Sequence, residues 1–191
     1  MTLPPTPAQT VGPFYGYALP FYGGDEIVPA THPEAITVHG YVFDGAGAPV
    51  PDALVETWQA DQHGSLAGAP GSLRHDPVTS TVIGRDGVRF TGFGRVPTDA
   101  DGHWALHTLP PGAHRPGATP YLAVAVFARG LLHHLHTRIY LSEHADALAA
   151  DLPALAADRR ATLLATLERD RLYRFDIRLQ GEGETVFFDF Q

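Results

Sequence analysis

The stretch 119–141 (TPYLAVAVFARGLLHHLHTRIYL), with an unbroken run of apolar and small side chains at 121–128, dominates the patterning of the chain. Positions 121–128 are eight β-favouring or small residues in a row, which predicts a central strand buried on both faces. Alternation along that strand places Tyr121, Ala123, Ala125 and Phe127 on one face. Leu122, Val124 and Val126 take the other, an aliphatic core face. Gly130 breaks the run and Leu131–Leu141 resumes it, predicting a second strand after a tight connection. Arg129 stands at the end of the first strand, where a charge is costly unless it reaches solvent or a partner. It is the first functional candidate.

The remaining pattern reads as short strands joined by turns. Ile36–Phe43 alternates well, and Asp44-Gly45-Ala46-Gly47 is a turn. In Ala53–Ala60 (ALVETWQA), Val55, Thr57 and Gln59 share one face, and Leu54, Glu56, Trp58 and Ala60 the other. Glu56 has no acid/base partner in sequence, so a structural hydrogen-bonding role outweighs a catalytic one. Residues 61–77 form a long polar loop, of a kind that carries function or disorder. Phe90–Arg95 leads into Thr98–Gly102, which reads as a turn rather than a calcium loop because no downstream bidentate Glu follows. His103–Leu109 is another strand, closed by Pro110-Pro111-Gly112. A helical region is expected near 148–169, with Pro153 early and Leu155, Leu163, Leu164 and Leu167 near helical spacing. Leu172–Phe190 reads as two strands around Gly181-Glu182-Gly183.

The first 35 residues differ from the rest. They hold seven prolines and little periodicity, yet TVGPFYGYALPFYG carries five aromatics that are costly to leave in water. The expected organisation is an ordered arm (1–35), packed on its own domain and on a partner chain, followed by a single β-sandwich domain (36–191). With 191 residues and 44% hydrophobic content the chain can bury a sizeable core. The net charge of −8 disfavours nucleic-acid and anionic-membrane partners. The chain has no cysteine, no window of eighteen apolar residues, and neither a basic nor an apolar leader segment at MTLPPTPAQT. Together these fit a cytoplasmic protein.

Eleven histidines raise the question of a metal. His134 and His136 share a strand face while His133 points away, which makes half a site where three or four ligands are needed. No nucleophile elbow, phosphate loop, dinucleotide fingerprint or zincin motif is present. From the residues alone, the reading is a mostly-β sandwich without an assigned purpose.

Six stretches taken in order resemble the intradiol ring-cleavage dioxygenases: TPAQTVGPF (6–14), VETWQADQHG (55–64), FGR (93–95), HTLPPG (107–112), VFARGLLHHLHTRIYL (126–141) and YRFDIRLQGEGETVFFDF (173–190). That resemblance implies a β-sandwich with an extended N-terminal arm. It also implies iron(III) held by two Tyr and two His in catalytic subunits. By motif position, the ligand places fall here at Leu66, at Ala113-His114, and at Tyr121 and Ala123. Such a set does not form an iron site.

This chain is thus similar to the metal-free alpha subunit of a two-chain member. No catalytic residue and no metal are expected in it. Fe(III) is expected on a partner beta subunit, with 3,4-dihydroxybenzoate and O2 at a shared site in a hetero-oligomer of alpha–beta pairs. The resemblance assigns substrate contacts to Thr10, Gly12 and Pro13 of the arm and to Arg129, whose guanidinium matches a substrate carboxylate. The five arm aromatics and the FFDF tail would help fill the interface. Two other readings stand beside it. One is a non-enzymatic sandwich module, such as a transthyretin-like carrier. The other is a self-sufficient dioxygenase using Tyr121 and the His133–His136 cluster.

Overall fold

The computed structural model describes residues 15–67, 73–85 and 90–189. One layer is centred on β1 (Ile36–Phe43), whose residues alternate buried and half-buried from end to end. Against it run β6 (His103–Thr108), antiparallel, and β10 (Leu172–Arg174) and β11 (Ile177–Arg178), both parallel. β9 (Leu164–Arg169) extends this layer beyond β10. The other layer places β2 (Leu54–Gln59) between β5 (Phe93–Pro97) and β7 (Leu122–Phe127), with β8 (Leu135–Leu141) next to β7. A short parallel pairing of β8 with β9 joins the layers, so nine strands form one continuous sheet folded on itself. β3 (Leu73–His75) and β4 (Val82–Arg85) form a separate hairpin.

The predicted core face of β7 is the observed one. Leu122, Val124 and Val126 pack with Val55, Val38, Trp104 and Leu106 in one cluster between the layers. Each such side chain, removed from water, contributes roughly 1.5–3 kcal/mol. Gly40 is required by a close approach: Phe175 N donates to His39 O at 2.7 Å, and a Cβ on residue 40 would lie 1.8 Å from Phe175 O.

Three sequence expectations are corrected. The region near 148–169 is not one helical region but α2 (Ala145–Asp151), α3 (Ala157–Ala161) and then strand β9. Pro153 cannot continue α2 because it lacks an amide donor. Beyond α3, Leu163 and Ala165 turn into the interior while Leu167 is half exposed, and Leu163 O accepts from Tyr140 N at 2.9 Å. Pairing with β8 and β10 outweighs the leucine spacing. Second, β8 begins at Leu135, and 128–134 is a turn with Leu132 exposed. Third, among the described residues the tail after β11 forms no second strand: Phe188 makes an isolated bridge with His136, and Thr185 N donates to Arg178 O at 3.0 Å.

The described part of the arm packs on this chain. α1 (Tyr15–Ala18) places Tyr15 inside, and Ile27 and Val28 are buried. His107 N donates to Asp25 O at 2.7 Å, and Ile27 N to His107 O at 2.9 Å, so the arm adds to the edge of β6. Two arginines hold it from the other side. Arg95 donates to Leu19 O and Arg85 to Glu26 O, both at 3.1 Å, with the Phe21 ring 5.5 Å from the Arg85 guanidinium. Burial pushes Arg85 down to about 10, against the opposing pull of Asp25 and Glu26. Thr10, Gly12 and Pro13 lie outside the described residues. Among the described residues, no helix is long and apolar enough to cross a membrane.

Candidate functional site

Two loops that are distant in sequence meet at the start of β7. Asp61 builds the first: its Oδ1 accepts from His63 N at 2.9 Å and Ser65 N at 2.8 Å. Its carbonyl also takes Gly112 N at 2.9 Å, fastening the loop to the Pro-Pro-Gly turn. Gly64 has φ 86°, and a Cβ there would lie 2.0 Å from Ala113 O, so only glycine admits this contact. Gln59, buried, completes the joint by donating to Leu109 O at 2.9 Å and accepting from Thr108 Oγ1 at 2.7 Å.

This joint brings the positions named by the resemblance to one corner. His114 stacks edge-on against Tyr121 with ring centroids 5.5 Å apart. Ala123 follows on the same strand face, and Leu66, half exposed, lies in the fastened loop. Of these four, only His114 and Tyr121 carry donor atoms; Leu66 and Ala123 carry none. Arg138, cross-strand from Ala123, holds its guanidinium 4.4 Å from the Tyr121 ring centre and 4.9 Å from that of Phe188. Two donors under a fixed cation do not fit iron(III). His134 and His136, the other candidate donors, face each other with Nε2 atoms 3.0 Å apart. Burial, then the neighbouring His134, holds His136 below its ordinary pKa. Among the described residues there is no group of three or more His, Cys, Asp or Glu arranged to hold a metal ion.

Arg129 lies at the other end of the strand. Its side chain is 67% exposed and pairs with Asp52 of the turn before β2. Tyr15 of α1 is close enough that burial and then the Asp52 charge raise its pKa, with Arg129 opposing. Residue 16 also sits on Asp52: a Cβ there would lie 3.5 Å from Asp52 O. The arm therefore emerges beside Arg129, which sequence alone placed over a hundred residues away. Glu56, the acid weighed as catalytic, is bound by Arg95 with Nε to Oε1 at 2.7 Å, a hydrogen-bonding arrangement of the kind expected for a structural acid.

Arg138 and Asp52 went unrecognised in the sequence. Arg138 had a signal: a charge in the middle of a strand, on the same face as His136, is rarely idle. Asp52, in a Pro-Asp turn, had none.

The family profile described as Dioxygenase matches residues 29–181. The chain is 39% identical to the protocatechuate 3,4-dioxygenase alpha chain of Burkholderia cepacia, over 98% of each chain. It is 30% identical to the protocatechuate 3,4-dioxygenase beta chain of the same organism, over 87% of this chain and 78% of that one. Among solved structures it resembles the dioxygenase domain of a dioxygenase–carbohydrate-binding protein fusion from Streptomyces sp. SirexAA-E. That match has a TM-score of 0.57 and 26% identity, over 93% of this chain and 99% of the other.

Proposed function

We propose, from the premise that this chain belongs to the family of intradiol ring-cleaving dioxygenases, that it is the alpha subunit of a protocatechuate 3,4-dioxygenase. In this reading it completes the substrate pocket of a beta subunit that carries Fe(III). The pair cleaves 3,4-dihydroxybenzoate with O2 to 3-carboxy-cis,cis-muconate, and works in the cytoplasm in aromatic-compound catabolism. The observation that carries the reading is the pairing of full-length similarity to an alpha chain with a corner whose residues do not fit iron.

The chain's own part is to bind and orient. Arg129 meets the substrate carboxylate through charge-assisted hydrogen bonds, and Thr10, Gly12 and Pro13 line the pocket beside it. Support comes from the placement of Tyr15 and residue 16 on Asp52, next to Arg129, only two residues beyond Pro13. Asp52 holds the guanidinium until substrate arrives. In the proposed division, residues 1–35 act as an arm reaching the partner and 36–191 as the sandwich domain. Tyr17 and Tyr22, both largely exposed, are contacts for that partner.

The test is iron content and visible absorption of the chain alone and co-purified with a candidate beta chain. Tyrosine-ligated iron(III) is coloured. The expected result is a colourless, inactive chain alone and about one iron per pair. Stoichiometric iron with ring cleavage by this chain alone would overturn the reading.

A further inference from the structure

Two pairs of histidines touch on this chain, and their rings meet in different ways. His39 Nδ1 and His103 Nε2 are 3.1 Å apart with ring centroids at 5.4 Å, as in two rings joined head-on by a hydrogen bond. The Nε2 atoms of His134 and His136 are as close, at 3.0 Å, yet their ring centroids are only 4.6 Å apart and the planes cross at 84°. The second pair is therefore folded about its two nitrogens rather than laid in line. A bent contact makes a poor hydrogen bond, whereas two nitrogens folded toward one side make a chelate.

The fold holds the pair in that posture. His136 lies in β8, cross-strand from Ala125, and its carbonyl accepts from Phe188 N at 2.8 Å. His134, two residues earlier, stacks its ring on Phe127 with centroids 5.1 Å apart and planes at 27°. Nitrogens 3.0 Å apart subtend about 90° at an ion ~2.0–2.1 Å from each. A right angle belongs to the tetragonal sites of Cu(II) and Ni(II), whereas a tetrahedral zinc would spread the nitrogens wider. Of the divalent first-row ions, Cu(II) gains most from a given pair of imidazoles. His134 is exposed, so water can complete the coordination.

We propose that His134 and His136 bind one Cu(II) through their Nε2 atoms in adjacent equatorial positions, with water in the others. Each ring then carries its proton on Nδ1. The site lies beside Phe127, toward the end of β7 away from Tyr121, and takes no part in ring cleavage. It needs neither iron nor a partner chain. Its failure is therefore distinguishable from failure of the subunit assignment, which the iron measurement decides.

The experiment titrates the full chain, first stripped of metal with a chelator, with Cu(II) in a non-coordinating buffer, followed by electron paramagnetic resonance. One equivalent should be taken up before the aqueous ion appears, with an axial spectrum split by two nitrogens and a Kd of roughly micromolar or tighter. Ni(II) and Zn(II), read by competition, should bind more weakly than Cu(II). His134→Ala and His136→Ala should each weaken Cu(II) binding at least about tenfold and remove one nitrogen from the spectrum. His103→Ala, which breaks the head-on pair, should leave both unchanged. Circular dichroism checks the folding of each variant, and the nitrogen count in the parent chain needs no variant. No copper bound at one equivalent, a parent spectrum with fewer than two nitrogens, or loss of binding in His103→Ala instead of His134→Ala would each overturn the proposal.

Discussion

Strand β7 has an arginine near each end, and the two are held in opposite ways. Arg129 lies past the C-terminal end, mostly in solvent, tethered to one aspartate and beside the emerging arm. Arg138, across from the N-terminal end, lies over two aromatic rings with no carboxylate partner among the described residues. The first arrangement suits a cation that must release one carboxylate to take another. The second suits a cation that fills a space and stays. The same residue type is thus solvated and ion-paired at one end and laid over aromatic rings at the other, and its environment decides which.

The largest expected effect tests the exchanging end. In the co-purified complex, Arg129→Ala should raise KM for protocatechuate roughly 10- to 150-fold, the loss of a charge-assisted hydrogen bond worth about 1.5–3 kcal/mol. Steady-state kinetics decide it, and an unchanged KM removes Arg129 from the pocket. Next come the two ion pairs. Glu56→Gln strands the half-buried Arg95 that holds the arm, and should cost ~1–2 kcal/mol in chemical denaturation. Asp52→Asn should cost under ~1 kcal/mol, because its arginine is solvated. If Asp52→Asn proves the costlier, Arg129 is not the loosely tethered cation that its exposure describes.

Arg138→Met comes third. It should cost roughly 1 kcal/mol, because it removes the guanidinium from over the Tyr121 and Phe188 rings while keeping the packing of the stem. Chemical denaturation measures it, and a gain in stability would mean that the guanidinium is strained rather than settled there.

The smallest effect is a pH dependence at the occupied end. His136 has its pKa held below 6.5 by burial and by His134, so its folded value lies under the unfolded one. Neutral His136 then contributes stability that is present above pH 6.5 and is lost as pH falls through the folded value. Melting temperatures taken across that range should fall less in His136→Gln than in the parent chain. Equal slopes would place the titration elsewhere.

How much of this was legible differs from residue to residue. The alternation in 121–128 named the core face of β7 correctly, because a two-residue period can be read from local composition. Arg129 was legible as a charge ending a buried strand. The leucines of 148–169 misled, because their spacing suits a helix equally well and only pairing with β8 and β10 makes β9 a strand. Glu56 as a structural acid was anticipated, but its partner was not, since Arg95 lies on another strand.

By itself, the sequence determined a β-rich chain, the inward face of its central strand, and the motifs that align it with the intradiol dioxygenases. Those are properties of a residue type at a position. Only the tertiary structure decided that Arg138 stands over Tyr121, that Asp52 tethers Arg129 beside the arm, and that His134 stacks on Phe127. The reason is physical: each of these depends on cross-strand register or loop closure, and side chains far apart in sequence acquire an interaction energy only once the backbone has set the distance between them.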